Sequence, residues 1–194
     1  MTALETQPRR ADAVRNRARV VAAAAEAFAE RGLEASVPDI AARAGVGKAT
    51  VYRSFPTKEH LMAAVVIERL RAFEALVRTA LDAERAWPAL LDVLDRHAEV
   101  LATDRALAGG LTRQIDLPDL EAARGSMWAE LAALLDRARA EGDLRADVSA
   151  ADLRVLWAGA CRILVEDRIE DPAVWRRYAA LVAAALRSDG TPAP

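Results

Sequence analysis

The sequence predicts an all-helical protein, and three observations carry that expectation. Alanine, leucine, arginine and glutamate are abundant, and all four are good helix formers. Aromatic residues are only 5 % of the chain, so side chains that favour strands are scarce. Apolar residues recur at three- and four-residue spacing along 194 positions, a length sufficient to bury a proper core. The organising stretch is residues 36–55, SVPDIAARAGVGKATVYRSF, which reads as two short helices joined by a glycine turn.

Taken in order, residues 1–10 lack periodicity and contain Gln7-Pro8-Arg9-Arg10, which predicts a disordered arm. A first helix is expected over residues 11–31. Val21, Ala24, Ala25 and Phe28 give it an apolar stripe, Arg15, Arg17 and Arg19 make its beginning basic, and Gly32 stops it, so it reads as the buttress of the next two helices, with Arg17 a candidate phosphate contact. Ser36 is an N-cap, and Asp39 stands three residues on, where its carboxylate reaches back to the cap amide in a capping box. The inward face of that second helix is Val37, Ile40, Ala41 and Ala44, and Gly45 supplies the left-handed residue that ends it. Val46 pins the turn to the core. Gly47 then lets the chain swing into a third helix starting near Lys48, with Val51 and Phe55 on its buried side.

A long helix follows over residues 57–84, spanning about 42 Å at 1.5 Å per residue, with Thr57 as its cap. Leu61, Val65, Leu70, Phe73, Val77 and Leu81 line it, so it ties the first segment to the remainder. Ala86-Trp87-Pro88 is expected to break it. Further amphipathic segments follow, the first over residues 88–103 with Leu90, Leu91, Leu94, Ala98 and Leu101 on one face. A short piece over residues 104–113 holds Gly109-Gly110, and a helix over residues 118–140 carries Leu120, Met127, Leu131, Leu134 and Leu135 before Glu141-Gly142-Asp143 ends it. Two last helices are expected over residues 149–168 and 172–187, with a frayed tail over 188–194. No internal repeat or low-complexity linker separates these segments.

The chemistry concentrates in the third helix. Its outer surface carries Lys48, Ala49, Thr50, Tyr52 and Arg53, which is short, polar and basic. A helix held by one side and presenting cations, a hydroxyl and a phenol on the other suits a DNA major groove. The plain alternative is a solvated helix in an ordinary bundle. Two features favour the first reading: Lys58 sits in the first turn of the next helix, where the dipole disfavours a cation, and the chain's only two lysines, Lys48 and Lys58, both fall here. The net charge of −2 conceals a gradient, since residues 1–60 hold 10 Lys+Arg against 7 Asp+Glu and residues 61–194 hold 17 against 22. Arg9 and Arg10 are placed either to enter a minor groove or simply to be solvated.

The run AFAERGLEASVPDIAARAG followed by AGVGKATVYRSFPTKEHLMAAV resembles the N-terminal domain of the TetR family of bacterial transcriptional repressors. The resemblance covers roughly residues 15–68 and rests on Phe28, Gly32, Ile40, Ala41, Gly45, Val46, Tyr52, Phe55, Lys58 and Leu61 together. It implies a three-helix helix-turn-helix domain over residues 11–68, joined by the long helix to a helical effector-binding and dimerisation domain over residues 69–187. It further implies that Ser36, Gly47, Lys48, Ala49, Thr50, Tyr52, Arg53 and Lys58 form the DNA-binding set, with Tyr52 and Lys58 at phosphate-binding positions. Gly47 departs from the serine or threonine that many members carry, so one hydroxyl is missing. The family also implies an effector pocket, for which Phe73, His97, Met127, Trp128 and Trp157 are the candidates, each of which is otherwise plain core. Pairing of the last two helices with those of a second chain, also implied, points to Leu153, Leu156, Ala160, Leu164, Trp175 and Tyr178; the alternative is that they close a monomer core.

Catalysis finds little to work with. Gly45-Val46-Gly47-Lys48-Ala49-Thr50 resembles part of a phosphate-binding loop, but Ala42 and Ala49 stand where that motif needs glycine and a hydroxyl. Two histidines without metal-ligand spacing supply no metal site, and no cofactor is expected. The single Cys161 permits no intrachain disulfide, and the absence of a leader or a long uncharged apolar run predicts a cytoplasmic protein with no membrane partner. The expected function is a homodimeric regulator, most simply a repressor released from a palindromic double-stranded operator by a small apolar or amphipathic effector. A ligand-independent regulator or an activator of the same fold is the alternative, and a helical protein-interaction module the distant one.

Overall fold

The computed structural model describes residues 6–104 and 115–188, and among them it forms eight α-helices and no β-strand. The helices are α1 Thr6–Arg31, α2 Val37–Ala44, α3 Lys48–Ser54, α4 Lys58–Leu81, α5 Ala86–Thr103, α6 Pro118–Ala140, α7 Ala150–Glu166 and α8 Pro172–Leu186. The all-helical expectation is met. Gly109-Gly110 and most of the expected tail lie outside the described residues.

Several boundaries differ from expectation, each for an identifiable reason. α1 starts at Thr6, so the second half of the expected arm is helical. Pro8 permits this because it falls in the first turn, where a missing N–H leaves no intrahelical bond unmade. Gly32, at φ 55°, opens a short 3-10 turn, Gly32–Glu34, between α1 and α2. α4 ends at Leu81, and the break is residues 82–85 rather than Ala86-Trp87-Pro88, which form the first turn of α5. The end of α6 holds that junction together. Glu141 accepts the Ala86 N–H at 2.9 Å and pairs with Arg85, while Arg137 donates to the carbonyls of Leu81 and Ala83. Charged side chains thus satisfy backbone groups that two abutting helix ends would leave orphaned.

α4 is the spine of the molecule. Its first turns complete the core of α1–α3 through Leu61, Met62, Val65 and Val66, and its later turns pack on α5 and α6 through Leu70, Phe73 and Val77. α5 packs against α8, and α7 lies against α6 and α8. One hydrophobic cluster runs unbroken from Val20 on α1 to Leu186 on α8. Leu91 is a correction to the expected α5 stripe: it is 39 % exposed, because Leu90 and Val93 occupy the inward positions on either side. At the far end, the Ser188 N–H donates to the Asp143 carbonyl at 2.8 Å, so that residue is fastened rather than frayed. No described helix is long and apolar enough to cross a membrane.

Candidate nucleic-acid interface

The interface is built on α2 and α3. Ser36 caps α2 by accepting the Asp39 N–H at 3.2 Å. The return half of the expected capping box does not form, because the Asp39 carboxylate instead accepts from Arg31 of α1 at 3.0 Å. Val37, Ile40, Ala41 and Ala44 are buried as expected, and Gly45 closes the helix at φ 64°. α3 then starts after Gly47, which provides no side-chain cap.

Of the seven residues in α3, only Val51 is buried; Phe55, which ends the helix, is also buried at 2 % exposure. Lys48, Ala49, Tyr52 and Arg53 are exposed and Thr50 is half-buried. The Lys48 ammonium lies 5.7 Å from the centre of the Tyr52 ring, so cation and phenol form one patch. Lys58 is half-buried in the first turn of α4, beyond the Thr57 cap. The sequence-based set therefore falls on one short helix and the two residues that flank it, with Ser36 set back at the start of α2.

α1 grips this unit through ion pairs and hydrogen bonds to α2 and the turn after it. Arg43 forms a paired bridge to Glu30, at 2.7 and 2.6 Å, and reaches Glu26 at 3.3 Å. The hydrogen bond from Arg43 holds Glu30 below the ordinary carboxylate range and raises the arginine in turn. Arg19 donates to the Ala44 carbonyl at 2.6 Å. The Arg17 guanidinium lies 4.4 Å from the centre of the Phe55 ring. Glu26 and Glu30 are four apart on α1, a spacing that marks one face for a cation.

The effector-pocket candidates come together only in part. His97 stacks on Phe73 at 4.1 Å between ring centres and accepts the Trp157 indole N–H at 3.0 Å. Met127 is buried core, and Trp128 lines a separate groove with Ala150 and Arg154. A cavity of about 600 Å3 lies elsewhere, between α1, α4 and α6, lined by Arg17, Ile67, Arg71, Glu74 and Ser126. The buried Glu74 carboxylate there accepts from Ser126 at 2.9 Å and pairs with Arg78.

The residues expected between chains divide by burial. Leu153, Leu164 and Trp175 are 0, 5 and 1 % exposed and belong to this chain's own core, where Trp175 also donates to the Ile169 carbonyl. Leu156 and Tyr178 are exposed and Ala160 is half-buried. The apolar groups facing outward beside them are Val155, Ile163 and Leu181, at 68, 56 and 51 % exposure.

Two short helices locked by a left-handed glycine, with the second presenting its polar face, define a helix-turn-helix protein. The family description "Bacterial regulatory proteins, tetR family" matches residues 20–65, and "Transcriptional regulator SbtR-like, C-terminal domain" matches residues 82–188. The chain belongs to the TetR family. A TetR transcription regulatory protein of Mycobacterium vanbaalenii is 36 % identical, over 92 % of this chain and 99 % of that one, with a TM-score of 0.62. A TetR transcriptional regulator of Streptomyces coelicolor is 29 % identical, over 89 % of this chain and 99 % of that one, at TM-score 0.65. FadR of Bacillus subtilis in complex with stearoyl-CoA shares the fold, with a TM-score of 0.68 at 23 % identity, over 87 % of this chain and 98 % of that one. An HTH-type transcriptional repressor of Mycobacterium tuberculosis is 40 % identical over 94 residues, 48 % of this chain and 47 % of that protein. The chain spans about half the length of the curated relatives it matches.

Proposed function

We propose that this protein is a homodimeric transcriptional regulator that represses by holding a palindromic operator and lets go when a small molecule binds. The observation that carries the reading is α3 itself: it is anchored by Val51 and Phe55 and leaves Lys48, Ala49, Tyr52 and Arg53 free to face a groove. On this reading Thr50 and Arg53 approach base edges, while Tyr52, Lys58 and the start of α2 at Ser36 approach phosphates. Gly47, which lacks a side chain, contributes close approach of the backbone.

Residues 11–68 act as the head and residues 69–187 as the body. A single seven-residue helix contacts few bases, and two copies about 34–36 Å apart read successive turns of a palindrome. Exposed Val155, Leu156, Ile163, Tyr178 and Leu181 support pairing with a second copy, because five large apolar side chains on two helices in contact are costly to leave in water. The effector is an apolar or amphipathic molecule bound in the body, and the buried His97–Trp157 pair is the polar feature among its aromatic candidates. Release follows from population shift, since an effector that prefers the form with mismatched heads lowers operator affinity by its preference for that form.

The test is selection of duplexes from a random-sequence library by the full chain, followed by titration at rising salt. Enrichment of an inverted repeat, with log affinity falling linearly against log salt, is expected. Failure to enrich any duplex would favour a module that contacts protein alone and would end the proposal.

A further inference from the structure

We infer that Arg19 and Arg17 of α1 are positioning residues for DNA binding: they set the pitch of α3 from its two ends without touching DNA. The inference rests on the reading that α3 faces the groove. The hold of α3 on the core is small, with Val51 buried within it, Phe55 buried at its end and no side-chain cap from Gly47. Its direction must therefore be fixed from outside.

The geometry at the leading end is a filled socket. Gly45 and Val46 turn their N–H groups back to the Ala41 and Ala42 carbonyls, which leaves the Ala44 carbonyl pointing out of the turn. Arg19 takes that carbonyl at 2.6 Å, placing a cation at the negative end of α2. The same guanidinium nitrogen lies 2.6 Å from where a Cβ on Gly45 would stand, so it occupies the space that a side chain there would need. α3 starts three residues later, at Lys48. At the trailing end Arg17 lies over the ring of buried Phe55, the residue on which α3 stops. Two side chains from one rigid helix thus bracket the reading helix. Base readout demands side chains placed within about half an ångström, so loosening either bracket costs discrimination before it costs charge.

The experiment compares the wild-type chain with Arg19→Ala, Arg17→Ala, Gly45→Ala and Arg53→Ala. The probes are the duplex that wild type selects from a random library and a scrambled duplex of equal length. Arg19→Ala and Arg17→Ala are each expected to lose about tenfold or more on the selected duplex while leaving the scrambled duplex and the salt slope unchanged. Gly45→Ala strains the left-handed turn and also expels the Arg19 side chain, so adding Arg19→Ala to it is expected to weaken binding no further. In the free protein, amide exchange at Val46 and Thr50 is expected to quicken in Arg19→Ala while Val65 in α4 stays protected, a readout that needs no DNA. Equal loss on both duplexes with a slope smaller by about 0.9 would make these arginines phosphate contacts and overturn the inference. Unchanged exchange and unchanged affinity for the selected duplex would overturn it as well. If Arg53→Ala is also silent, α3 is not the reader; if Arg53→Ala weakens binding and Arg19→Ala does not, only the positioning role falls.

Discussion

The Trp157 indole N–H donates to Nδ1 of His97 at 3.0 Å, and the same imidazole stacks on Phe73. Acceptance at Nδ1 requires the neutral ring with its proton on Nε2. Protonation at Nδ1 would place two donors against each other, and burial already pushes the His97 pKa down to about 4.

That arrangement makes stability depend on pH in a defined window. The unfolded chain takes up the proton near the ordinary histidine value of 6.5, whereas the folded chain resists until about 4. Stability is therefore full above the upper value and falls as pH drops towards the lower one, by about 1–3 kcal/mol. Chemical denaturation of wild type and His97→Gln between pH 7 and 4 checks this. The variant is expected to have a flatter profile, and parallel profiles would refute the role of His97.

Lys58 and Arg53 should fail in different ways. Lys58→Ala is expected to weaken all duplexes alike and to lower the salt slope by about 0.9. Arg53→Ala is expected to change which sequence is preferred, with about 1–3 kcal/mol lost at one base pair. Repeating the library selection with each variant separates the two. A uniform loss for Arg53→Ala would reassign it to the backbone.

Adjacent residues on α7 give opposite outcomes. Ile163 is 56 % exposed and Leu164 only 5 %. Ile163→Asp is expected to leave the fold intact and to dissociate the proposed homodimer, as read by sedimentation at several concentrations. Leu164→Asp buries an unpaired carboxylate and is expected to unfold the chain outright. An Ile163→Asp chain that remains dimeric would move the interface elsewhere.

Cys161 is buried and its thiol is pushed up to about 12, so almost none is thiolate at neutral pH. Native protein is expected to resist alkylation, with labelling appearing only as denaturant opens α7. Rapid labelling of the native chain would show that this helix opens readily.

Much of this was legible in the sequence because local chemistry decided it. Ser36, Gly45 and Thr57 cap their helices, and Val37, Ile40, Val51 and Phe55 are buried, since a turn's backbone and a helix's apolar spacing are written into neighbouring residues. What pattern could not reveal is competition over distance. Asp39 has a cap amide within reach and prefers Arg31, eight positions away and on another helix. Leu153, Leu164 and Trp175 share the apolar character of a contact surface, yet only packing decides which side of α7 and α8 turns inward. The same holds for Arg19, whose partner Ala44 is distant in sequence and whose contact is to a carbonyl that any residue could offer.

The unbroken run of α4 has a consequence for how such chains can be divided. The proposed boundary between residues 68 and 69 lies inside a continuous helix of 24 residues, with buried Val65 and Val66 before it and buried Phe73 and Val77 after it. A protease or an engineer cutting there would expose apolar side chains of α4 in both fragments. Trading heads between relatives would thus mean carrying all of α4 across, together with whatever neighbours it has learned to lean on.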